Sequence, residues 1–282
     1  RDYEWVSLAL NGKIYITGRD IGTELLHRDE MAKVITDLEA RNQDLERFAS
    51  VAAHQLRSPP RTIAGIAQAL EEDYGALLDD EGRVFLQDIR SDANQMAEIV
   101  DGLYRFSMVR TSEDMPMTPV DLNKMMATLR DDQEKNRCDD CKYRGRVASG
   151  QHCPDHNKPP TVSFDDLPTV LGDPLLLTEV FRNLVDNGIK FNESEIKNIH
   201  VSAKRQGNRW AITVKDNGIG IDPVYQPKLF TMFQRVHTTY AGTGVGLALV
   251  AAIVTKMGGT ITVESAPGDG AAFTFDLAAW EE

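Results

Sequence analysis

The chain has 282 residues, of which 31 are Lys or Arg and 43 are Asp or Glu, so its formal net charge is −12 at pH 7. This acidic balance argues against broad contact with a nucleic-acid backbone, because such contact needs an excess of cations. The longest apolar run, residues 245–254, is far shorter than the roughly 20 residues that span a bilayer, and 3 cysteines predict no disulfide framework. We therefore expect a cytoplasmic protein of about two domains, without a membrane segment or a nucleic-acid partner.

The chain begins with a predicted β-hairpin. Residues 5–10 and 14–17 alternate apolar and polar side chains on either side of Asn11-Gly12, which is a strong hairpin signal. An isolated hairpin is marginally stable in water, so we expect residues 1–22 to be the end of a domain that begins upstream. The initial Arg1, in place of a methionine, agrees with that expectation.

A long helical stretch with a heptad repeat follows the hairpin. The repeat predicts a coiled coil over residues 23–47 that continues into a dimeric helical bundle, and Asn42 at an a position favours two strands. A long amphipathic helix packed on its own domain is the alternative. The positions in phase are Ile35, Asn42, Ala49, Leu56, Ile63 and Leu70 at a, and Leu38, Leu45, Ala52, Pro59 and Ile66 at d.

A second helix is predicted after a turn near residues 74–82. Two helices joined by a short loop form an antiparallel hairpin, and two such hairpins form a four-helix bundle. We therefore assign residues 48–115 to a helical hairpin that dimerises. The apolar residues of its second helix are Phe85, Ile89, Ala93, Met96, Val100 and Leu103.

Residues 116–282 have the pattern of an α/β sandwich. Helices are predicted over residues 121–137, with Asp121 as the N-cap, and over residues 175–191. Antiparallel strands with separate helices predict a helical layer packed on a sheet. Residues 138–160 fit neither layer and are predicted to form an inserted loop. The predicted strands are residues 199–203, 210–214, 260–264 and 272–277.

One histidine, His54, lies within the heptad helix at an f position, away from the a/d seam. An accessible imidazole can act as a nucleophile or carry a proton, although an exposed surface histidine is the simpler interpretation. The context favours function, because Pro59 removes a backbone donor and bends the helix beside the imidazole.

Three polar residues of a later predicted helix share one face. Asn183, Asn187 and Lys190 recur at i, i+4 and i+7. Amide oxygens suit a hard cation such as Mg²⁺, and the lysine suits a phosphate. A solvated polar face would have the same pattern.

A carboxylate followed by glycines marks a second candidate site. Asp216 comes directly after a predicted strand, and Gly218 and Gly220 follow it. Glycines let a ligand approach the backbone, which predicts a pocket. An ionised carboxylate only accepts hydrogen bonds, so it suits the exocyclic amine of adenine and disfavours the carbonyl of guanine.

A glycine-rich turn over residues 242–247 leads into an apolar helix over residues 248–257. Backbone N–H groups at such a helix start suit a phosphate. No predicted strand precedes the turn and its spacing is not that of a dinucleotide-binding loop, which excludes a Rossmann interpretation.

In this order and spacing, the motifs resemble those of the sensor histidine kinases of two-component systems over nearly the whole chain. The resemblance implies a dimerisation and histidine-phosphotransfer domain, then an ATP-binding α/β sandwich of the Bergerat type. The opening hairpin is more weakly similar to the end of a PAS sensory domain. The matching segments are 53–59 as the phospho-acceptor H box, 183–191 as the N box, 216–221 and 242–247 as the two glycine boxes, and 228–235 as the F box of the ATP lid.

The resemblance implies that a homodimer with an upstream sensory domain uses ATP and Mg²⁺ to phosphorylate His54, and then phosphorylates an aspartate in a response regulator receiver domain. Asn187 would bind Mg²⁺, Asn183 and Lys190 would meet the phosphates, and Asp216 would bind adenine. The other implied nucleotide contacts are Gly218, Gly220, Arg235 at the γ-phosphate, and Gly242, Thr243, Gly244, Gly246 and Leu247 in the closing lid.

Positions beside His54 depart from the family pattern. Gln55 stands where the family has an acidic residue, and an amide cannot take the imidazole proton, so we expect slowed autophosphorylation. Ser58 stands where a Thr or Asn orients water for dephosphorylation, and Pro60 directly follows Pro59. These departures leave open the balance of kinase and phosphatase activity, and also a degenerate kinase-like ATPase or signalling scaffold. An adaptor without enzymatic activity is disfavoured by the nucleotide-binding motifs.

The inserted loop carries a candidate metal site. Cys138 and Cys141 form one pair of ligands, and Cys153 and His156 form another with the same separation. Three thiolates and one imidazole at such spacing resemble a structural Zn²⁺ site. Free or redox-active thiols on a loop are the alternative.

Overall fold

The computed structural model divides the chain into two units, Arg1–Ala49 and Ser50–Glu282. In the first unit, β1 (Tyr3–Leu10) pairs with β2 (Lys13–Asp20) in antiparallel register, as predicted. The described residues are 3–10, 13–20, 31, 33, 34, 36, 37, 51–111, 115–135, 160–236, 240 and 242–281. Most of the predicted coiled coil and the cysteine-rich insert therefore lie outside the described residues.

The second unit begins with a helical hairpin. Residues 51–56 are helical, a turn interrupts the helix at Arg57, and α1 continues over Ser58–Tyr74. The interruption lies two residues before Pro59, whose nitrogen cannot donate to the preceding turn. After a short loop, α2 spans Asp80–Thr111 and packs along α1.

Within a single chain, the packing of the hairpin buries few residues of its first helix. Ala53, Pro60 and Ala67, which occupy e positions of the repeat, are buried in a single chain. Most of the described a and d residues are exposed in a single chain, which favours the predicted dimer over a helix packed on its own domain. The exposed fractions are 53% for Leu56, 41% for Ile63, 57% for Ile66 and 41% for Leu70.

The remainder of the unit is an α/β sandwich. Its strands include β3 (Thr118–Asp121), β4 (Thr161–Phe164), β5 (Thr169–Gly172), β6 (Asn198–Gln206), β7 (Arg209–Asp216), β8 (Ile261–Ser265) and β9 (Ala271–Ala278). One sheet has the order β4-β6-β7-β9-β8, in which β4 and β6 are parallel and the other neighbours antiparallel. Strands β3 and β5, which were not predicted, form a separate antiparallel pair.

The α-helices in the described part of this domain are α3 (Leu122–Lys135), α4 (Pro174–Lys190) and α5 (Gly246–Lys256). Alternate residues of β9 are buried, and Phe275 meets Phe181 of α4 edge to face with ring centroids 5.6 Å apart. The core therefore lies between the helices and the sheet, as the sandwich prediction required. No helix in the described part of the chain is long and apolar enough to cross a membrane.

Side-chain caps fix where two of these helices begin. Asp121 Oδ1 accepts from the Lys124 N–H at 3.1 Å, as predicted. Asp173 Oδ1 accepts from the Leu175 and Leu176 N–H groups at 2.8 and 3.1 Å, with a proline at the first helical position. The second cap fixes the start of α4, which is the helix that carries the predicted N box.

Candidate functional site

A cavity of about 470 Å³ lies at one end of the sandwich. Its wall combines the polar face of α4, the end of β7, the glycine-rich turn before α5, and one face of α2. Most predicted nucleotide contacts line it, although they come from segments far apart in the sequence. They are Asn183, Asn187, Lys190, Asp216, Gly220, Arg235, Gly242, Thr243, Gly244, Gly246 and Leu247.

The amide of Asn183 is held in one orientation. Its nitrogen donates to the Glu179 carbonyl at 2.8 Å and to Glu179 Oε1 at 3.2 Å. The amide oxygen lies beside Gly246, where an added Cβ would be 2.6 Å away. Because α4 and α5 approach this closely at the cavity, the first residue of α5 has room only for a glycine.

Lys190, the last residue of α4, also lines the cavity. Burial lowers the pKa of its ammonium group, and Arg235 adds to this, while Glu98 and Asp186 oppose it. An added Cβ at Gly242 would be 2.5 Å from Lys190 Nζ, so the glycine-rich turn folds directly over the ammonium. A bound phosphate would restore the electrostatic stabilisation that burial removes.

Asp216, at the end of β7, lies beside α4, because a Cβ added at Gly188 would be 3.1 Å from Asp216 Cβ. Its Oδ1 accepts from the Gly218 N–H at 2.8 Å and from the Ala271 N–H at 3.1 Å. Burial raises the pKa of this carboxyl, and the two N–H donors oppose the rise. Both bonds go to Oδ1, so within the described residues Oδ2 is left to accept from a ligand.

Gly218 has a different place from the one predicted. It does not line the cavity, and an added Cβ would be 2.3 Å from the Phe191 carbonyl oxygen. Its N–H orients the carboxylate of Asp216. Gly218 therefore places Asp216 while the chain packs against Phe191, and a contact of Gly218 with the nucleotide stays a prediction.

The F box and the glycine-rich turn contact each other through the backbone. The Phe233 N–H donates to the Gly244 carbonyl at 2.9 Å, and Gly244 adopts a φ of +69°, which favours glycine. Arg235 Nη2 donates to the Tyr240 carbonyl at 2.7 Å. The Tyr240 hydroxyl in turn donates to Glu193 Oε1 at 2.5 Å, which raises the pKa of that tyrosine.

Several lining residues were not predicted. Phe191, directly after Lys190, belongs to an apolar wall and meets the Tyr240 ring at 5.2 Å between centroids. An aromatic residue at the end of the N box was the available signal. The other unpredicted apolar lining residues include Ile219, Ile221, Leu229 and Phe273.

The helical hairpin formed by α1 and α2 also reaches the cavity. Glu98, Asp101, Gly102 and Arg105 of α2 line it, and Arg105 Nη1 lies 2.7 Å from Glu179 Oε1. A Cβ added at Gly102 would be 2.8 Å from a methyl group of Val245, so α2 approaches the glycine-rich turn closely. A glycine inside a long helix was the sequence signal for this contact.

The predicted phospho-acceptor lies outside the cavity. His54, Gln55 and Ser58 are exposed, and none of them lines the cavity wall. The nearest described aromatic ring to His54 is Tyr104, with centroids 6.3 Å apart. Within the described residues, no group of three or more His, Cys, Asp or Glu side chains could hold a metal. The predicted Zn²⁺ ligands lie outside those residues.

Comparison with known proteins identifies both regions. The His Kinase A (phospho-acceptor) domain matches residues 44–112, and the histidine kinase-, DNA gyrase B-, and HSP90-like ATPase matches residues 172–280. Cyanobacterial phytochrome A of Nostoc sp. is 33% identical over 279 residues, which are 97% of this chain and 34% of that protein. Phytochrome-like protein Cph1 of Synechocystis sp. is 30% identical over 278 residues, with the same coverage of 97% and 34%.

The chain thus spans about a third of the length of these curated relatives. Among solved structures, the crystal structure of full-length ShkA in complex with AMPPNP has the same fold, with a TM-score of 0.60 and 23% identity. That match covers 84% of this chain and 47% of ShkA. From the two domain matches, which lie in the order of the predicted motifs, we conclude that the chain belongs to the sensor histidine kinases.

Proposed function

We propose that this chain is a protein-histidine kinase that transfers the γ-phosphoryl group of ATP to His54 and then to an aspartate of a response regulator. The cavity carries this proposal, because it places an adenine acceptor and a phosphate-binding end in one space. Among the described residues none donates to Asp216 Oδ2, and Lys190 lies under the glycine-rich turn. Apolar side chains such as Phe191 and Phe273 provide a surface for the purine ring.

The phosphate end has the groups that a triphosphate requires. The ammonium of Lys190, the guanidinium of Arg235 and the N–H groups at the start of α5 supply positive charge. Mg²⁺ is bound in such sites by one or two protein oxygens together with the substrate phosphates. The Asn187 amide oxygen fits that requirement, and the ion would neutralise charge on the phosphates.

In the proposed reaction, an imidazole nitrogen of His54 forms a bond to the γ-phosphorus while the bond from that phosphorus to the β,γ-bridging oxygen breaks. ADP leaves, and the imidazole loses a proton. Gln55 cannot take that proton, so solvent or a phosphate oxygen receives it. His54 does not line the cavity. Transfer therefore requires another arrangement of the hairpin and the ATP-binding domain, within one chain or across a dimer.

We also propose that the chain acts as a homodimer. The a and d residues of α1 are exposed, and α2 carries a second exposed apolar stripe. In that stripe Phe85, Ile89 and Met96 are 57%, 46% and 44% exposed. A second hairpin would bury both stripes in a four-helix bundle. The upstream sensory domain and the cytoplasmic location remain proposals, of which the first is supported by the paired strands of residues 3–20 and by relatives named as phytochromes.

The second candidate is a degenerate kinase-like scaffold, which Gln55 favours. Incubation with γ-labelled ATP and Mg²⁺ separates the two. His54→Gln removes the proposed acceptor, and His200→Gln is its matched control because His200 is a half-buried histidine on β6, outside the cavity. We expect acid-labile label on the wild type and on His200→Gln but not on His54→Gln. Label on His54→Gln would contradict the proposal, and ATP binding without any label would favour the scaffold.

A further inference from the structure

Two arginines of the H-box helix share one carboxylate of α2. Arg57 Nε lies 2.6 Å from Asp101 Oδ1, and Arg61 Nη2 lies 2.7 Å from Asp101 Oδ2. The side chains of Arg57 and Asp101 are only 31% and 24% exposed, so this ion pair is partly shielded from solvent. Asp101 also lines the cavity, so it is one of the α2 residues at which the hairpin meets the ATP-binding domain.

Arg57 has a second contact, which leads to the acceptor histidine. Its guanidinium carbon lies 4.3 Å above the centroid of the Tyr104 ring. The same ring lies 6.3 Å from the His54 imidazole, between centroids, at an angle of 51°. Positions three residues apart on a helix are neighbours, and Arg57 keeps helical dihedrals although the helix is interrupted there. Its guanidinium is therefore within reach of a group attached to the imidazole.

We propose that Arg57 is a positioning residue for phosphorylated His54, and that its guanidinium exchanges the Asp101 carboxylate for the phosphoryl oxygens once the imidazole carries them. The inference rests on His54 being the acceptor, as proposed above. A phosphoryl group carries a larger negative charge than a carboxylate, and its oxygens match the paired donors of a guanidinium.

Arg61 makes the exchange feasible. When Arg57 leaves, Arg61 still pairs with Asp101 Oδ2, so the carboxylate beside the cavity is not left without a cation. Arg61 is four residues further along the helix and 60% exposed. It is therefore the matched control, because it binds the same carboxylate but lies further from His54. Among the described residues, the charged groups facing Asp101 are these two arginines.

The test is independent of kinase activity, because phosphoramidate phosphorylates imidazoles chemically. The phosphorus NMR signal of phosphorylated His54 is assigned by its absence in His54→Asn, and its chemical shift is followed against pH. A guanidinium at the phosphoryl group lowers the pKa of its second ionisation. We expect that pKa to rise by about one unit in Arg57→Gln and to be largely restored in Arg57→Lys. In Arg61→Gln it should rise by clearly less, because that change only removes the cation that replaces Arg57 at Asp101.

Asp101→Asn provides the opposite perturbation. It removes the anion that competes for Arg57, so the phosphoryl pKa should fall below the wild-type value. Thermal melting of Arg57→Gln and Arg61→Gln measures the structural cost of losing one ion pair in each. Equal phosphoryl pKa values in the wild type and Arg57→Gln, or equal shifts in both arginine variants, would overturn the proposal. A failure of ATP to label His54 would count against the kinase function but would not change this titration.

Discussion

Gly102 provides a direct test of how the hairpin controls the kinase. A Cβ added at this position would be 2.8 Å from Val245 Cγ1 and 3.1 Å from Val245 Cβ, so alanine requires α2 and the glycine-rich turn to separate. Alanine also favours the helix itself, by about 1 kcal/mol over glycine. Gly102→Ala should therefore weaken the contact between the domains without weakening α2.

The expected change in the balance between docked and separated domains follows from the cost of the added methyl group. Inserting a methyl group into a packed contact costs about 1–3 kcal/mol, which shifts the balance between docked and separated domains by roughly 5- to 150-fold. His54 is outside the cavity in the docked arrangement. Separation of α2 from the glycine-rich turn would therefore help His54 to reach the nucleotide. We expect Gly102→Ala to phosphorylate itself at least several-fold faster than the wild type.

Gly65 supplies the matched control. It lies in α1, and a Cβ added there would meet nothing within 4 Å. Gly65→Ala gains the same helix propensity without the contact to Val245. The assay is the single-turnover rate of labelling from γ-labelled ATP, with thermal melting of both variants. Equal rates in Gly102→Ala and Gly65→Ala, or a slower rate in Gly102→Ala, would refute the reasoning.

Three further predictions address the site. Gln55→Glu should raise the rate of self-phosphorylation, because a carboxylate can take the imidazole proton that an amide cannot, and single-turnover labelling that is unchanged or slower would count against this role. Burial raises the pKa of Asp216 above its usual 3.8, and only the ionised carboxylate accepts from adenine without donating, so ADP affinity should weaken as the pH falls through that raised value. Calorimetry of the wild type and Asp216→Asn measures this, and an acid dependence that persists in Asp216→Asn would assign it to another group. Metal analysis of the purified, reduced protein should give one zinc per chain if Cys138, Cys141, Cys153 and His156 form the proposed site, and absence of zinc would exclude it.

Local sequence patterns were sufficient to predict the long helices and strands. Asp121 caps α3 as predicted, and the polar spacing of Asn183, Asn187 and Lys190 identified one face of α4 that lines the cavity. These features depend on residues within a few helical turns of each other. The strands β3, β4 and β5 have four residues each, which is too short for an alternating pattern to stand out.

Contacts between distant segments could not be predicted in this way. The ion pair of Arg57 with Asp101 joins residues 44 positions apart, and the approach of Gly102 to Val245 depends on how two domains pack. Gly218 illustrates the same limit, because its motif position predicted a nucleotide contact but gave no sign of its hydrogen bond to Asp216 or its close approach to Phe191. The buried stripe of Ala53, Pro60 and Ala67 was likewise hidden by the stronger heptad pattern beside it.

The most direct test of the account is to locate the phosphoryl group after reaction with ATP and Mg²⁺. Peptides prepared under conditions that preserve phosphohistidine should carry the modification on the segment that contains His54. Asp216→Asn should reduce it strongly, because the Gly218 and Ala271 N–H groups would hold the amide oxygen and leave the amide NH2 facing the adenine amine. Modification of another residue, or unchanged phosphorylation of His54 in Asp216→Asn, would contradict the assignment of the acceptor and of the cavity.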